Sequence, residues 1–374
     1  MYPIIKPDYR HGYYQVGNKN YINKTHALIA ATQLNQSVHW NFHDQIYESI
    51  DWTKRPPGSL KDLYRLRAQQ IRDRYDYVIV HFSGGSDSWT VLNSFLSNNI
   101  HVDEVYTRWA RAERQYRSAT NLDHRECNLG SEYEYATEPV LKEIEQKFPR
   151  TYIYVDDYSE AYEKDISENM LDRGGHYTAM GTFHRFSRKS PGEIDALSKG
   201  KRIGVVYGFD KIQCQVIDSK FSAYFVDRVG ISDVDPERNV EGFYWTQDMP
   251  EIAVMQAHDL KSYYQTQLSK IQTNSVDLRT SYINTCYPDY NLQTFQVGKA
   301  AGSKIWASEL WIQKYNPRYV ESWEWALSQF SSNIDNKYYS YFSKLQLGYK
   351  VIKSQSYYVG QLTAAEPINY DFAH

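Results

Sequence analysis

The chain has 374 residues, of which 41% are hydrophobic, so it is long enough for two or three domains with a substantial core. Its net charge of −3 gives no basic field for duplex nucleic acid, which stays open as a partner but is not favoured. Three scattered cysteines disfavour a metal cluster or disulfide scaffold, and the lack of a long apolar run or signal-peptide core predicts a cytoplasmic protein without a membrane span.

Residues 1–58 form a polar, tyrosine-rich segment in which only 25–34 has a helical pattern. Pro56-Pro57-Gly58 marks the end of this segment. Ser59 is then typical of a helix N-cap, with Asp62 in the first helical turn. This helix leads directly into an apolar run at 77–82.

That run is short, β-branched and aromatic, which predicts a buried strand of the parallel type. Gly84 and Gly85 follow it and allow the backbone to turn tightly and approach a ligand. From Ser88 onward apolar residues recur at helical spacing, so the loop ends at a helix N-terminus, where free N–H groups favour an anion. Asp87 would repel a polyanion unless a divalent cation such as Mg²⁺ lies between them.

Further strands are predicted over 102–109, 151–155 and 202–207, and Glu138-Pro139 opens a helix between the first two. This alternation predicts an α/β fold with a parallel sheet and helices on both faces, and ligands bind such sheets at the carboxyl ends of the strands. Arg108 lies at one strand end, and Asp210 and Lys211 follow another. Each of these charges is interpreted either as a ligand contact or as part of a solvated surface turn.

Arg108 also begins a run of arginines that ends at Arg117. As a ligand site the run would bind phosphate or a carboxylate, and otherwise it would pair with the acidic residues around it. Farther along, 243–245 is an aromatic triplet for which core packing is favoured over a pocket wall. His258 is expected to be structural, and helices are predicted over 304–314 and 320–332.

The segment Ser83-Gly84-Gly85-Ser86-Asp87-Ser88 resembles the Ser-Gly-Gly-x-Asp-Ser pyrophosphate loop of the PP-loop ATP pyrophosphatases. This family includes asparagine, GMP and NAD synthetases and tRNA-modifying adenylylases. Residues 241–251 and 294–299 are similar to segments of uncharacterised phage-encoded members. The loop lacks the lysine of a Walker-type loop and the third glycine of a Rossmann fingerprint. The resemblance in fold covers roughly residues 75–230 and implies a HUP-like domain, which we place over 59–255. Helix-like stretches farther along predict a mainly helical region over 256–374.

The resemblance also implies ATP and Mg²⁺ as cofactors and a ligase-like reaction that forms AMP and pyrophosphate. An acceptor oxygen would be adenylylated and then displaced by an amine or another nucleophile. The implied nucleotide contacts are 83–88 and Arg108, with Asp87 also the metal ligand, and the implied catalytic residues are Asp87, Asp210 and Lys211. Trp89 stands where relatives usually have a small residue. Tyr2 follows Met1, where asparagine synthetases have the cysteine of their N-terminal glutaminase, so that glutaminase is not expected here.

Two alternative functions stay open. The first is an adenylylase that modifies a nucleotide or a nucleic-acid base, and the second is a nucleotide-binding interaction protein without turnover. The expected partner is a small-molecule substrate, and assembly into a homo-oligomer stays open. The expected location is the cytoplasm, which is the host cytoplasm if the protein is phage-encoded.

Overall fold

The computed structural model describes residues 9–22, 24–109, 133–157, 189–208, 211–227, 238–273, 275–276, 278–290, 352–364 and 366–371. The strands are β1 (Tyr13–Val16), β2 (Lys19–Tyr21), β3 (His39–Asn41), β4 (Tyr77–His81), β5 (Glu104–Trp109), β6 (Tyr152–Asp157), β7 (Ile203–Tyr207), β8 (Gln213–Ile217), β9 (Lys220–Tyr224), β10 (Arg238–Gly242), β11 (Tyr357–Gln361) and β12 (Tyr370–Asp371). The helices are α1 (Lys24–Leu34), α2 (Asp44–Glu48), α3 (Leu60–Arg74), α4 (Ser86–Leu96), α5 (Glu138–Lys147), α6 (Pro191–Ser198), α7 (Glu251–Gln265), α8 (Leu268–Gln272) and α9 (Leu278–Cys286).

The centre of the fold is a five-stranded parallel sheet with the strand order β10-β7-β4-β5-β6. Four of its strands are the predicted ones, so the predicted α/β arrangement is confirmed. The fifth, β10, was not predicted because its sequence, Arg-Asn-Val-Glu-Gly, is mostly polar. Its two charged side chains are buried as ion pairs, Arg238 with Glu193 of α6 and Glu241 with Arg67 of α3.

Helices cover both faces of this sheet because alternate strand residues point to opposite sides. On one side, Val78 and Val80 belong to the same core as Val91 and Phe95 of α4. On the other side, Ile79 and Val205 form a smaller cluster with Ala196 of α6, which lies between β6 and β7 in the chain.

The capping prediction for α3 is confirmed. The Ser59 side chain accepts a hydrogen bond from the Asp62 N–H, and the Asp62 carboxylate accepts one from the Ser59 N–H. This reciprocal pair satisfies backbone donors at the helix start and sets where the chain enters the helix. Two residues separate the end of the helix at Arg74 from the start of β4 at Tyr77.

The described part of the C-terminal region contains strands as well as helices. Helices α7 to α9 fit the predicted helical character, but β11 and β12 pair antiparallel with β9 and β8 in a four-stranded sheet. The mainly helical prediction did not include these strands, since tyrosine-rich segments favour a strand only when a partner strand is present. The helices predicted over 304–314 and 320–332 lie outside the described residues.

Residues from all three predicted segments contribute to one aromatic core. Trp40 and Tyr47 come from the first 58 residues, Phe225 and Trp245 from the middle of the chain, and Tyr357 from β11. Tyr47 and Phe225 lie with ring centroids 4.5 Å apart. The tyrosine-rich N-terminal segment therefore packs as part of the core. Among the described residues, no helix combines the length and apolar character that crossing a membrane requires.

Candidate active site

The 83–88 loop lies at the point where the direction of the sheet reverses. From β4 the chain proceeds outward to β5 and β6, and it then returns to β7 on the opposite side of β4. Parallel α/β sheets bind ligands at such a reversal, in the crevice beyond the carboxyl ends of the two central strands. The segments that leave β4 and β7 are therefore the two expected to contact a ligand.

The loop after β4 leads directly into α4. Gly85 is the N-cap of that helix, and no side chain caps it by a hydrogen bond, so the first turn presents backbone N–H groups and the positive end of the helix dipole. Gly84 has φ +78°, and a Cβ there would lie 2.5 Å from Thr137 Oγ1. Glycine at this position is thus required by both backbone conformation and space.

Two serines brace the loop from inside. The Ser83 N–H donates to Ser88 Oγ at 3.1 Å, and the Ser88 hydroxyl donates to the Gly85 carbonyl at 3.2 Å. Ser88 is buried, whereas Ser83 is exposed. Because its only proton is already donated within the loop, Ser88 acts here in shaping the loop, and Ser83 and Ser86 are the accessible hydroxyls.

The segment that leaves β7 passes directly over the loop. A Cβ on Gly208 would lie 2.9 Å from the carbonyl carbon and oxygen of Asp87, so only glycine allows this approach. Lys211 follows shortly afterward, and its Nζ lies 3.5 Å from Asp87 Oδ2. The structure thus brings together Asp87 and Lys211, two residues that the sequence proposed separately. Asp210 lies outside the described residues.

Two tyrosines that the sequence did not connect with the loop hold Asp87. The Tyr244 hydroxyl donates to the Asp87 carbonyl at 2.7 Å, and the Tyr287 hydroxyl donates to the carboxylate oxygen Oδ1. Burial, with the nearby Asp87 carboxylate, raises the pKa of Tyr287 well above its usual value, so its hydroxyl keeps the proton that it donates. Tyr287 lies 200 positions from Asp87 in the sequence, and no local motif marks it. Its contact with Asp87 is visible only in the folded structure, where Tyr287 is buried just after α9.

Arg108 takes a different place from the other predicted nucleotide contacts. It lies at the end of β5, where its Nε is 3.6 Å from the buried Asp156 carboxylate of β6. The same carboxylate accepts a hydrogen bond from the Tyr106 hydroxyl at 2.8 Å. Arg108 is therefore at the predicted edge of the sheet and part of a polar group on two neighbouring strands. The arginines at 111, 114 and 117 lie outside the described residues.

The other residues considered as candidates lie in positions where they contribute to packing. Residues 243–245 are buried, as the packing interpretation predicted, although Tyr244 also reaches the loop. His258 Nε2 lies 3.0 Å from the Trp52 carbonyl, and burial lowers the His258 pKa. Burial raises the pKa of the Cys286 thiol to about 12, which leaves it unreactive at neutral pH. The Trp89 ring meets Tyr290 edge to face at 5.6 Å.

The donor set around Asp87 fits Mg²⁺ held jointly with a nucleotide. Within the described part of the chain, no group of three or more His, Cys, Asp or Glu side chains is placed to hold a metal. Asp87 offers one carboxylate that is 29% exposed, and Ser83 and Ser86 of the same loop offer accessible hydroxyls. Mg²⁺ is commonly bound by one or two carboxylates together with substrate phosphates and water, so the residues present suit it.

Comparison of the chain with protein-family models, with curated proteins and with solved structures found no match. The loop, its place in the sheet and the side chains that surround Asp87 are therefore the features that indicate a function.

Proposed function

We propose that this protein is an ATP pyrophosphatase of the PP-loop type, with a HUP-like central domain, which cleaves ATP to AMP and pyrophosphate in a ligase-like reaction. The observation that carries the proposal is the position of Asp87 and Lys211 together at the reversal point of the sheet, beside an uncapped helix N-terminus. In this arrangement the loop binds phosphates through backbone N–H groups and has no lysine of its own. Lys211, in the segment that follows the neighbouring strand β7, supplies the positive charge.

In the proposed first step, an acceptor oxygen attacks the α-phosphorus of ATP, and the bond from that phosphorus to the α,β-bridging oxygen breaks. Negative charge develops on the departing pyrophosphate. The N–H groups of Ser86 and the residues after it, with the Lys211 ammonium, would stabilise that charge because they are held in place before the reaction. Mg²⁺, when bound through Asp87, supplies further charge neutralisation on the phosphate oxygens.

In the second step, an amine or another nucleophile attacks the acceptor atom that carries the adenylylated oxygen, the bond between that atom and the oxygen breaks, and AMP departs with the oxygen. The chain contributes chiefly by keeping the adenylylated intermediate and the nucleophile in one crevice away from water. Arg108, at the end of β5, is the proposed contact for nucleotide or substrate oxygens on the β5 side of this crevice.

Incubation with Mg²⁺ and ATP labelled at the α-phosphate, in the presence of a metabolite pool, tests the proposal. Formation of labelled AMP with an equal amount of pyrophosphate supports it. Formation of ADP would show that the β,γ bond is the one that breaks and would refute the loop assignment. Nucleotide binding without any turnover would instead support an interaction protein that uses the nucleotide as a ligand.

A further inference from the structure

The two oxygens of the Asp87 carboxylate have different surroundings. Oδ1 accepts the hydrogen bond of Tyr287, whose side chain is only 3% exposed. Oδ2 faces Lys211, whose side chain is 32% exposed. One oxygen is therefore turned toward the core and the other toward the accessible side of the loop.

Tyr287 is held in position by residues from other helices. The Tyr64 hydroxyl of α3 donates to the carbonyl of Cys286, the residue just before Tyr287, at 2.8 Å. Tyr64 in turn accepts a hydrogen bond from the side-chain amide of Gln256 in α7, also at 2.8 Å. Because this network is buried, the segment that carries Tyr287 has one well-determined position relative to α4.

A neutral hydroxyl and an ammonium affect a carboxylate differently when a divalent cation arrives. The Tyr287 hydrogen bond leaves the charge of Asp87 intact and occupies only Oδ1, so it is compatible with a cation at Oδ2. The Lys211 ammonium is positively charged, as the divalent cation is, and it occupies the side of the carboxylate on which that cation would bind. A cation at Oδ2 thus requires Lys211 to move away, and the phosphates of a bound nucleotide offer it an alternative partner.

We infer that Tyr287 is a positioning residue for Asp87: its hydrogen bond to Oδ1 holds the carboxylate so that Oδ2 receives the divalent cation. Lys211 occupies the Oδ2 side of the carboxylate until the nucleotide binds. This inference rests on the proposed function, because it assigns roles within the same site. Groups that orient a metal ligand through a hydrogen bond commonly change metal affinity by about 10- to 100-fold when they are removed.

The test measures Mn²⁺ binding in the presence of α,β-methylene ATP, an analogue that cannot release pyrophosphate. The paramagnetic resonance signal of free Mn²⁺ gives the affinity without any need for turnover. In Tyr287→Phe we expect Mn²⁺ to bind about 10- to 100-fold more weakly. Tyr47→Phe is the matched control, because it also removes a buried tyrosine hydroxyl, which donates to the Thr246 carbonyl at 2.9 Å. It should leave the Mn²⁺ affinity unchanged.

A double-mutant comparison separates positioning from general loss of structure. In an Asp87→Asn background, adding Tyr287→Phe should produce no further loss of Mn²⁺ affinity, since the carboxylate that Tyr287 orients is already gone. An unchanged affinity in the single variant Tyr287→Phe, or an equal further loss in the Asn background, would overturn the inference.

Lys211→Met examines the same carboxylate without altering Tyr287. With the analogue at saturation, Mn²⁺ should bind this variant at least as tightly as it binds the original chain, and a tenfold weaker affinity would contradict the inference. If the unaltered protein binds neither the analogue nor Mn²⁺, the proposed function itself fails. If it binds both and Tyr287→Phe behaves in the same way, only the positioning role is refuted.

Discussion

At the scale of single residues, Asp87 combines two opposing effects. A carboxylate in the first turn of a helix is favoured by the helix dipole, but it competes with a bound anion for the same region. In this protein Lys211 and Tyr287 hold the carboxylate, and neither belongs to the loop. The function of Asp87 therefore depends on residues that lie far from it in the sequence.

Replacing Asp87 with asparagine should reduce pyrophosphate formation at least about 100-fold, because the metal-binding charge is lost. The free energy of unfolding should change by less than about 1 kcal/mol, since the side-chain oxygen of the asparagine still accepts the hydrogen bond of the Tyr287 hydroxyl. A coupled pyrophosphate assay and urea unfolding measure the two effects. Asp195→Asn, an exposed position on α6, is the control, and turnover that survives in Asp87→Asn would show that Asp87 is not a metal ligand.

Alanine substitutions at Gly84 and Gly200 separate the cost of left-handed backbone strain from the cost of a steric conflict. Gly200 has a similar φ of +70° and no atom within 4 Å of a Cβ built on it, so Gly200→Ala should cost only about 1 kcal/mol of left-handed backbone strain. Gly84→Ala carries the same strain and also places its Cβ against Thr137, so it should cost about 1–3 kcal/mol more. Urea denaturation of both variants measures the difference. Equal losses would mean that the loop moves aside without difficulty.

At the scale of elements, the contact between the sheet and α6 buries an unusual carboxylic acid. Glu104 begins β5 and accepts hydrogen bonds from the Ser190 hydroxyl at 2.7 Å and the Tyr77 hydroxyl at 3.0 Å. Burial raises the pKa of Glu104 to about 7, and the Glu193 charge adds to this, whereas the two hydrogen bonds and Arg238 oppose it. The folded protein thus keeps a proton on Glu104 that the unfolded chain would lose in acid.

This raised pKa makes stability fall as the pH rises. Below pH 4.5 Glu104 is protonated in both states, and between about pH 4.5 and 7 the folded state binds more protons than the unfolded state. The free energy of unfolding should therefore decrease across this window by roughly 3 kcal/mol. In Glu104→Gln that decrease should be absent, so the variant gains stability relative to the original chain at pH 8. Unfolding curves at pH 5, 6, 7 and 8 measure the slope, and an unchanged slope would contradict the role of Glu104.

At the scale of the whole molecule, Asp227 joins three distant parts of the chain. Its Oδ2 accepts from the Tyr14 hydroxyl of β1 at 3.0 Å and lies 2.6 Å from the Lys24 ammonium of α1. Its Oδ1 accepts from the Ile352 N–H at 3.0 Å, which lies near the end of the chain. Asp227 and Lys24 are both almost completely buried, so the carboxylate links the N-terminal sheet, the segment after β9 and the C-terminal strands.

Asp227→Asn should destabilise the protein by about 3–5 kcal/mol, because the buried Lys24 ammonium loses the carboxylate that compensates its charge. The double variant Lys24→Met with Asp227→Asn should lose less, since it removes the buried charge as well. Chemical denaturation of both variants and of the original chain gives these differences. If the single and double variants are equally destabilised, the ion pair is not the source of the effect.

The local features of this protein follow from its sequence alone. The strand, the Gly84-Gly85 turn and the helix that follows were predictable because each depends on neighbouring residues and on hydrophobic periodicity. The same holds for the Ser59 cap and for four of the five parallel strands. β10 escaped prediction because its charged residues, Arg238 and Glu241, are neutralised by partners on other elements.

The side chains that surround the loop, by contrast, are set by contacts between elements that are distant in the sequence. Lys211 was a candidate from its place after a strand, but its pairing with Asp87 requires β7 to lie beside β4. Tyr244 was predicted only to pack in the core and Tyr287 had no local signal, since both reach Asp87 through the packing of buried residues from the second half of the chain. Periodicity and spacing describe what a residue does within its own element, whereas the contacts between elements depend on how the whole core packs.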